Sequence, residues 1–193
     1  MSQEIEIEFK NLLTENEYKR MLEELPFDKT QFAEQTNYYF ETKDLRLKQY
    51  GAALRIRHKG GKWTMTLKEP HPEGLLETHD TIDEHEADLW IQNKGNAQPN
   101  ITKQLDAMGI ERSNLRFLGS LATRRREIDY HDTTVTLDFS RYFQKEDYEL
   151  EIECTSKHQG QAVFDELLHE FSIPRRETKN KIQRFYEARV ESD

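Results

Sequence analysis

The chain has 193 residues, with 28 basic and 37 acidic side chains and a formal net charge of −9. That length suits one domain, or two small ones, around a hydrophobic core; the acidic balance argues against broad binding to nucleic acid or membrane surfaces. No run approaches the ~18 apolar residues of a membrane span, MSQEIEIEFK does not read as a signal peptide, and one cysteine, Cys154, excludes an internal disulfide framework and a multi-cysteine zinc site, so the cytoplasm is the expected compartment.

In chain order, the first element is a strand. Ile5, Ile7 and Phe9 fall on one face, and Glu4, Glu6, Glu8 and Lys10 on the other. Thr14 with Glu17 forms a capping box that opens a helix with Tyr18, Met21, Leu22 and Leu25 on one side. Gly60-Gly61 joins two alternating runs over 54–68 and predicts a two-residue hairpin. That turn pairs Lys59 with Lys62, Arg57 with Thr64 and Arg55 with Thr66, with Lys68 continuing the same face. Leu54, Ile56, Trp63, Met65 and Leu67 occupy the other face.

Ala87, Trp90 and Ile91 mark a short helix. Asn93 to Asn100 is the least structured stretch and is too short to act as a linker between domains. Asn100 is expected to cap a third helix, with Leu105 and Met108 inward and Gly109 ending it. In the run Arg124-Arg125-Arg126, alternation sets the outer two on one face and the middle one on the other, without fixing which face is inward. Val135, Leu137 and Phe139 oppose Thr134, Thr136 and Asp138. Leu150 and Ile152 oppose Glu149, Glu151 and Glu153, and Cys154 follows as a packed thiol. Phe164, Leu167, Leu168 and Phe171 form a helix stopped by Pro174. Thr178 is expected to cap the last helix, whose buried face carries Ile182, Phe185 and Tyr186. One domain over 1–193 is the expected organisation.

An ordinary antiparallel sheet with one wet face also alternates, but a solvated face usually mixes signs, because like charges opposite each other repel. Here one hairpin collects five basic residues, and two strands each collect three glutamates. If the strands curl into a closed or nearly closed sheet, their charged faces line a lumen, and about eight strands leave room for one small ligand. A basic wall suits a phosphate chain; an acidic wall suits a hard divalent cation.

Glu6-Ile-Glu8-Phe-Lys10 resembles the Glu-x-Glu-x-Lys signature of the CYTH superfamily, the triphosphate tunnel metalloenzymes. Gln35-Thr-Asn-Tyr-Tyr39-Phe40-Glu41-Thr42, Leu54-Arg55-Ile-Arg57, Leu67-Lys68, Glu77, Arg124-Arg125-Arg126, Leu137-Asp138, Glu151-Ile-Glu153 and Lys181 resemble the family's further blocks in the same order. The resemblance spans about residues 2 to 190. It implies an α+β fold: an antiparallel eight-stranded β-barrel, closed or nearly closed, with a charged lumen and flanking helices. It also implies a phosphohydrolase dependent on Mg²⁺ or Mn²⁺, acting on inorganic triphosphate or on a small organic or nucleoside triphosphate.

By the same resemblance, Glu6, Glu8 and Glu153 hold metal, with Glu151 and Asp138 completing the acidic set. Lys10, Arg55, Arg57, Lys68, Arg124, Arg126 and Lys181 grip the triphosphate, and Lys10, Arg57 and Tyr39 carry catalytic roles. Two other functions compete. A class IV adenylate cyclase is disfavoured because no His-Phe pair precedes Glu6; for a non-catalytic triphosphate or nucleotide binder, both charged walls are intact in the sequence, so nothing there supports a loss of catalysis. The sequence has no phosphate-loop glycine pattern, no dinucleotide glycine pattern and no His-Glu-x-x-His zinc motif.

Overall fold

The structure is a computed structural model that describes residues 3–28 and 30–192, with side chains to Arg189. Its strands are β1 (Gln3–Leu13), β2 (Ala33–Thr42), β3 (Ala53–Lys59), β4 (Lys62–His71), β5 (Gly74–Ile82), β6 (Leu115–Tyr130), β7 (Thr133–Tyr142) and β8 (Lys145–Cys154). The helices are α1 (Glu15–Glu24), α2 (Arg46–Gln49), α3 (Glu84–Ile91), α4 (Pro99–Ala107), α5 (Lys157–Glu170) and α6 (Lys181–Ser192). The strands make a closed antiparallel barrel in the order β1-β5-β4-β3-β2-β6-β7-β8. None of the helices is long and apolar enough to cross a membrane among the described residues.

The chain divides into two compact units. The first comprises the chain up to Ile5 together with Gln35–Leu121. Its β3–β4 hairpin turns on Gly60 and Gly61, at φ +57° and +74°, the left-handed pair that a tight hairpin requires. The register is the expected one: Lys59 opposite Lys62, Arg57 opposite Thr64, Arg55 opposite Thr66. Leu54, Ile56, Met65 and Leu67 lie under α3 and α4 in a core with Trp90, Ile101 and Leu105. Burying each such aliphatic side chain contributes about 1.5–3 kcal/mol.

Capping fixes the helices of this unit. Asp83 caps α3 by accepting from Glu86 N at 2.7 Å. Helix α4 begins slightly earlier than expected, with Pro99 at its first position, where a missing N–H costs nothing. Asn100 therefore lies inside the helix rather than at its cap. Its backbone N–H, and that of Ile101, donate to Asp80 at 3.0 and 2.8 Å. Helix α2 escaped the sequence reading. The fully buried Glu41 accepts from its Leu47 and Lys48 N–H groups at 3.0 and 2.9 Å, so this carboxylate is a helix anchor.

The second unit is Glu6–Glu34 with Ala122 onward. Thr14 and Glu17 make the reciprocal capping box of α1. Met21, Val135, Leu137, Leu150, Ile152, Phe164 and Leu167 form its core, between the apolar sheet face and α1 and α5. Thr178 does not cap α6, which starts at Lys181. Its hydroxyl instead accepts from Leu12 N at 2.9 Å and ties the approach segment to β1.

Candidate active site

Each unit carries one charged sheet face. In the first, Arg55 stands opposite Tyr39 and Thr66, and Arg57 opposite Asn37 and Thr64, all on the side away from Leu54 and Ile56. Arg57 Nε donates to Asn37 Oδ1 at 2.9 Å. Lys68 forms an ion pair with Glu77, and Arg55 Nη2 lies 4.0 Å from the same carboxylate. Tyr39 is buried beside Arg55. Two donors on this face, Asn37 Nδ2 and Arg55 Nε, are buried without an acceptor. Interiors seldom leave such groups unmade.

His79, on the same face of β5, has Nε2 3.1 Å from Glu4 Oε1 and 3.5 Å from Glu77 Oε2, with Nδ1 3.0 Å from Thr66 Oγ1. Glu4, Glu77 and His79 are the one group of three metal-ligand side chains whose donor atoms converge within 4.8 Å among the described residues. Lys68 and Arg55 already compensate Glu77.

The acidic face of the second unit divides in two. Along β8 and β1, Glu153 stands opposite Glu8, and Glu151 opposite Lys10. Glu6 and Glu8 are half-buried and Glu153 is exposed; Lys10 pairs with Glu8. The remainder is a closed ion network. Arg125 meets Asp138 through two donors, at 2.7 and 2.6 Å, and reaches Glu151 at 2.6 Å. Lys181 of α6 lies 2.7 Å from Asp138 and 2.8 Å from Glu149, and also pairs with Glu151. Arg184, one turn on, holds Glu149 at 2.7 Å and Asp147 at 2.9 Å. Burial opposes ionisation of Glu151, but Lys181 and Arg125 overcome it and hold the carboxyl well below its usual range. Burial likewise opposes a charged Lys181, and Asp138, Glu149 and Glu151 still raise it above an ordinary lysine.

Lys10, Arg55, Arg57 and Lys68 lie on charged sheet faces and Lys181 meets one of them from α6, whereas Arg124 and Arg126 take the other face of β6. Arg124 stands opposite Phe139 and Arg126 opposite Leu137, while Arg125 stands opposite Asp138. The outer two arginines share the face of the apolar core. Arg124 is exposed and paired with Glu34 at 3.2 Å, and both guanidiniums lie over Phe32, at 5.0 and 5.5 Å. Arg124 and Arg126 thus lie on the face opposite Arg125, and Arg125 is the arginine that reaches Asp138 and Glu151.

A signal for this was present in the sequence. A two-residue turn at His131-Asp132, both at positive φ, pairs Tyr130 with Thr133 and sets Arg125 against Asp138. Glu4 and Glu149 were placed on charged faces but given no role, and Arg184 and His79 were not singled out. Arg184 carried only a helical spacing from Lys181, and the meeting of Glu4 with His79 depends on strand order, which no local pattern encodes.

The profile of the CYTH domain matches residues 4–186, and the chain belongs to that family. It is 48% identical over 194 residues to the Bacillus subtilis (strain 168) protein named "Putative triphosphatase YjbK", with all of both chains covered. A crystal structure from Bacillus halodurans, named as a putative adenylate cyclase (bh2851), is 42% identical, with a TM-score of 0.92 over 96% of this chain and 100% of that one. The Hippeastrum protein HpAC1, described as a putative adenylyl cyclase with a dominant triphosphatase activity, shares the fold. It is 23% identical, with a TM-score of 0.80 over 95% of this chain and 96% of the other.

Proposed function

We propose that the protein is a divalent-metal-dependent triphosphatase of the cytoplasm, hydrolysing inorganic triphosphate or a small organic or nucleoside triphosphate. The observation that carries this reading is the face of β3 and β4. Arg55, Arg57 and Lys68 share it, and Arg55 Nε is buried there without an acceptor. A cationic face with an unmet donor calls for an acceptor-rich anion, and guanidinium forks match phosphate oxygens. The name of the 48% identical relative points the same way.

Glu6, Glu8 and Glu153 are the residues proposed to hold the cation. Glu8 and Glu153 stand directly opposite each other, where two carboxylates repel unless a positive charge joins them, and an all-oxygen set fits Mg²⁺ or Mn²⁺. When bound, such an ion supplies neutralisation of phosphoryl-oxygen charge. Arg55, Arg57, Lys68 and Lys10 bind and orient the phosphate chain and offset the charge that builds on its oxygens during attack by water. Tyr39, packed beside Arg55, steadies that wall. Asp138 and Glu151 act one step back, holding Arg125 and Lys181 charged.

The test is phosphate release from tripolyphosphate, ATP, GTP and thiamine triphosphate with Mg²⁺ or Mn²⁺, with cyclic AMP measured in the same tubes. Orthophosphate release from at least one triphosphate is expected. Cyclic AMP with pyrophosphate would favour the cyclase reading, and binding without turnover would favour a non-catalytic binder.

A further inference from the structure

We propose that Asn37 is a direct contact of the phosphate chain, its Nδ2 donating to a phosphate oxygen. The proposal rests on the triphosphate reading above and adds a residue to it.

The amide's orientation follows from its neighbour. A guanidinium can only donate, so the Asn37 atom 2.9 Å from Arg57 Nε is the carbonyl oxygen. The other end is therefore Nδ2. Asn37 is 1% exposed, and Nδ2 has no acceptor. Folding has stripped this donor of water and returned nothing, a cost that proteins rarely carry without a use.

Its surroundings name the missing acceptor. Asn37 stands opposite Arg57, and Tyr39, two residues on, opposite Arg55, so the two pairs are about 7 Å apart along the strands. Arg55 Nε is the second buried donor without an acceptor on this face. Two unmet donors between two guanidiniums call for several anionic oxygens in a row, which a phosphate chain provides. A chloride offers a single point and a carboxylate carries both its oxygens on one carbon, so neither extends along the strands as a phosphate chain does. Gln35, one pair further along, has a buried oxygen without a donor, but nothing fixes its amide, so it adds nothing.

The amide itself is informative. If the residue served only to aim Arg57, an aspartate would hold the guanidinium more strongly through a charge-assisted bond. It would offer no donor, however, and would set a negative charge against the polyanion. An asparagine does both jobs, anchoring Arg57 with its oxygen and presenting a proton with its nitrogen.

A double-mutant cycle separates contact from positioning. Tripolyphosphate affinity is measured by calorimetric titration for wild type, Asn37→Ala, Arg57→Ala and the double variant. As a direct contact, Asn37→Ala weakens binding by ~10-fold or more, the scale of a hydrogen bond to a charged group, and does so again when Arg57 is already alanine. No further loss in the Arg57→Ala background would show that Asn37 acts only through Arg57 and would overturn the proposal. Asn37→Asp keeps the acceptor for Arg57 and serves if the alanine variant does not fold; it is expected to bind at least ~10-fold more weakly, and wild-type affinity would overturn the proposal. Wild-type protein that prefers tripolyphosphate no more than sulfate would instead bring down the triphosphate reading, and this proposal with it.

Discussion

Replacing Lys181 with methionine separates two roles that the sequence could not. As a pure substrate ligand, Lys181 would matter little to the protein without substrate. The structure instead sets it among Asp138, Glu149 and Glu151, with its side chain 13% exposed and Asp138 fully buried. Removing one partner of a buried ion pair costs about 3–5 kcal/mol, because the opposite charge is left unmatched. Arg125 and Arg184 remain on the same carboxylates, so the lower end, about 3 kcal/mol, is expected. For a chain of this length each kcal/mol moves the melting temperature by about 2–4 °C, which gives a fall of about 6–12 °C. Differential scanning calorimetry without ligand measures it. Lys181→Met combined with Glu149→Gln should recover some of the loss, since it reduces the excess of carboxylates left to share Arg125 and Arg184. A ligand-free melting point within about 2 °C of wild type, together with lost tripolyphosphate binding, would refute this reasoning and restore Lys181 to a substrate role alone.

Arg125→Ala should lower the ligand-free melting temperature and weaken activity, whereas Arg124→Ala, which loses an exposed pair with Glu34, should change stability by no more than about 0.5 kcal/mol; a reversed ranking in thermal melts and phosphate release would contradict the facing of these two side chains. Glu69 is raised above its ordinary value of 4.5 by burial, and one of its oxygens lacks a partner. A carboxyl whose folded value is raised binds its proton more tightly in the folded state, so it withdraws stability as pH climbs above its unfolded value. Glu69→Gln should therefore match wild type near about pH 4 and melt higher at about pH 7–8; equal melting points at both would count against a buried, unmet carboxylate.

Much of the fold was legible because strand alternation and capping are local. The capping box at Thr14 and Glu17, the Gly60-Gly61 hairpin with its register, and the apolar faces of β7 and β8 all follow from neighbours within a few positions. What stayed hidden was set by distance in sequence. Helix α2 is four residues long, and Glu41, several positions upstream, holds its N–H groups. Asn100 resembled a cap, yet Pro99 and the distant Asp80 decided where α4 starts. The three arginines of β6 could be sorted only through β7, where Leu137, Asp138 and Phe139 meet them in turn.

The premise that a segregated charged face implies a guest meets an exception on the acidic side. On β7 and the inner stretch of β8, the counter-charges come from the chain itself. Arg125, Lys181 and Arg184 meet Asp138, Asp147, Glu149 and Glu151. Burial would favour protonating Glu151, but Lys181 and Arg125 reverse that. Glu151 therefore contributes stability that is present above its unfolded value of about 4.5 and is lost only at a lower pH, as its folded value is crossed. Lys181, raised in the folded state, contributes below its ordinary 10.5 and loses that contribution only above it. Glu151 and Lys181 thus keep their charges between those limits through partners that the chain itself supplies. Asp138 and Glu151, matched by Arg125 and Lys181, have the least need of a metal. On β3 and β4 the balance stays open: Glu77 compensates Lys68 and lies near Arg55, while Arg55 Nε and Asn37 Nδ2 still lack acceptors. That unmet demand for acceptors separates this face from the acidic one, whose charges hold a helix.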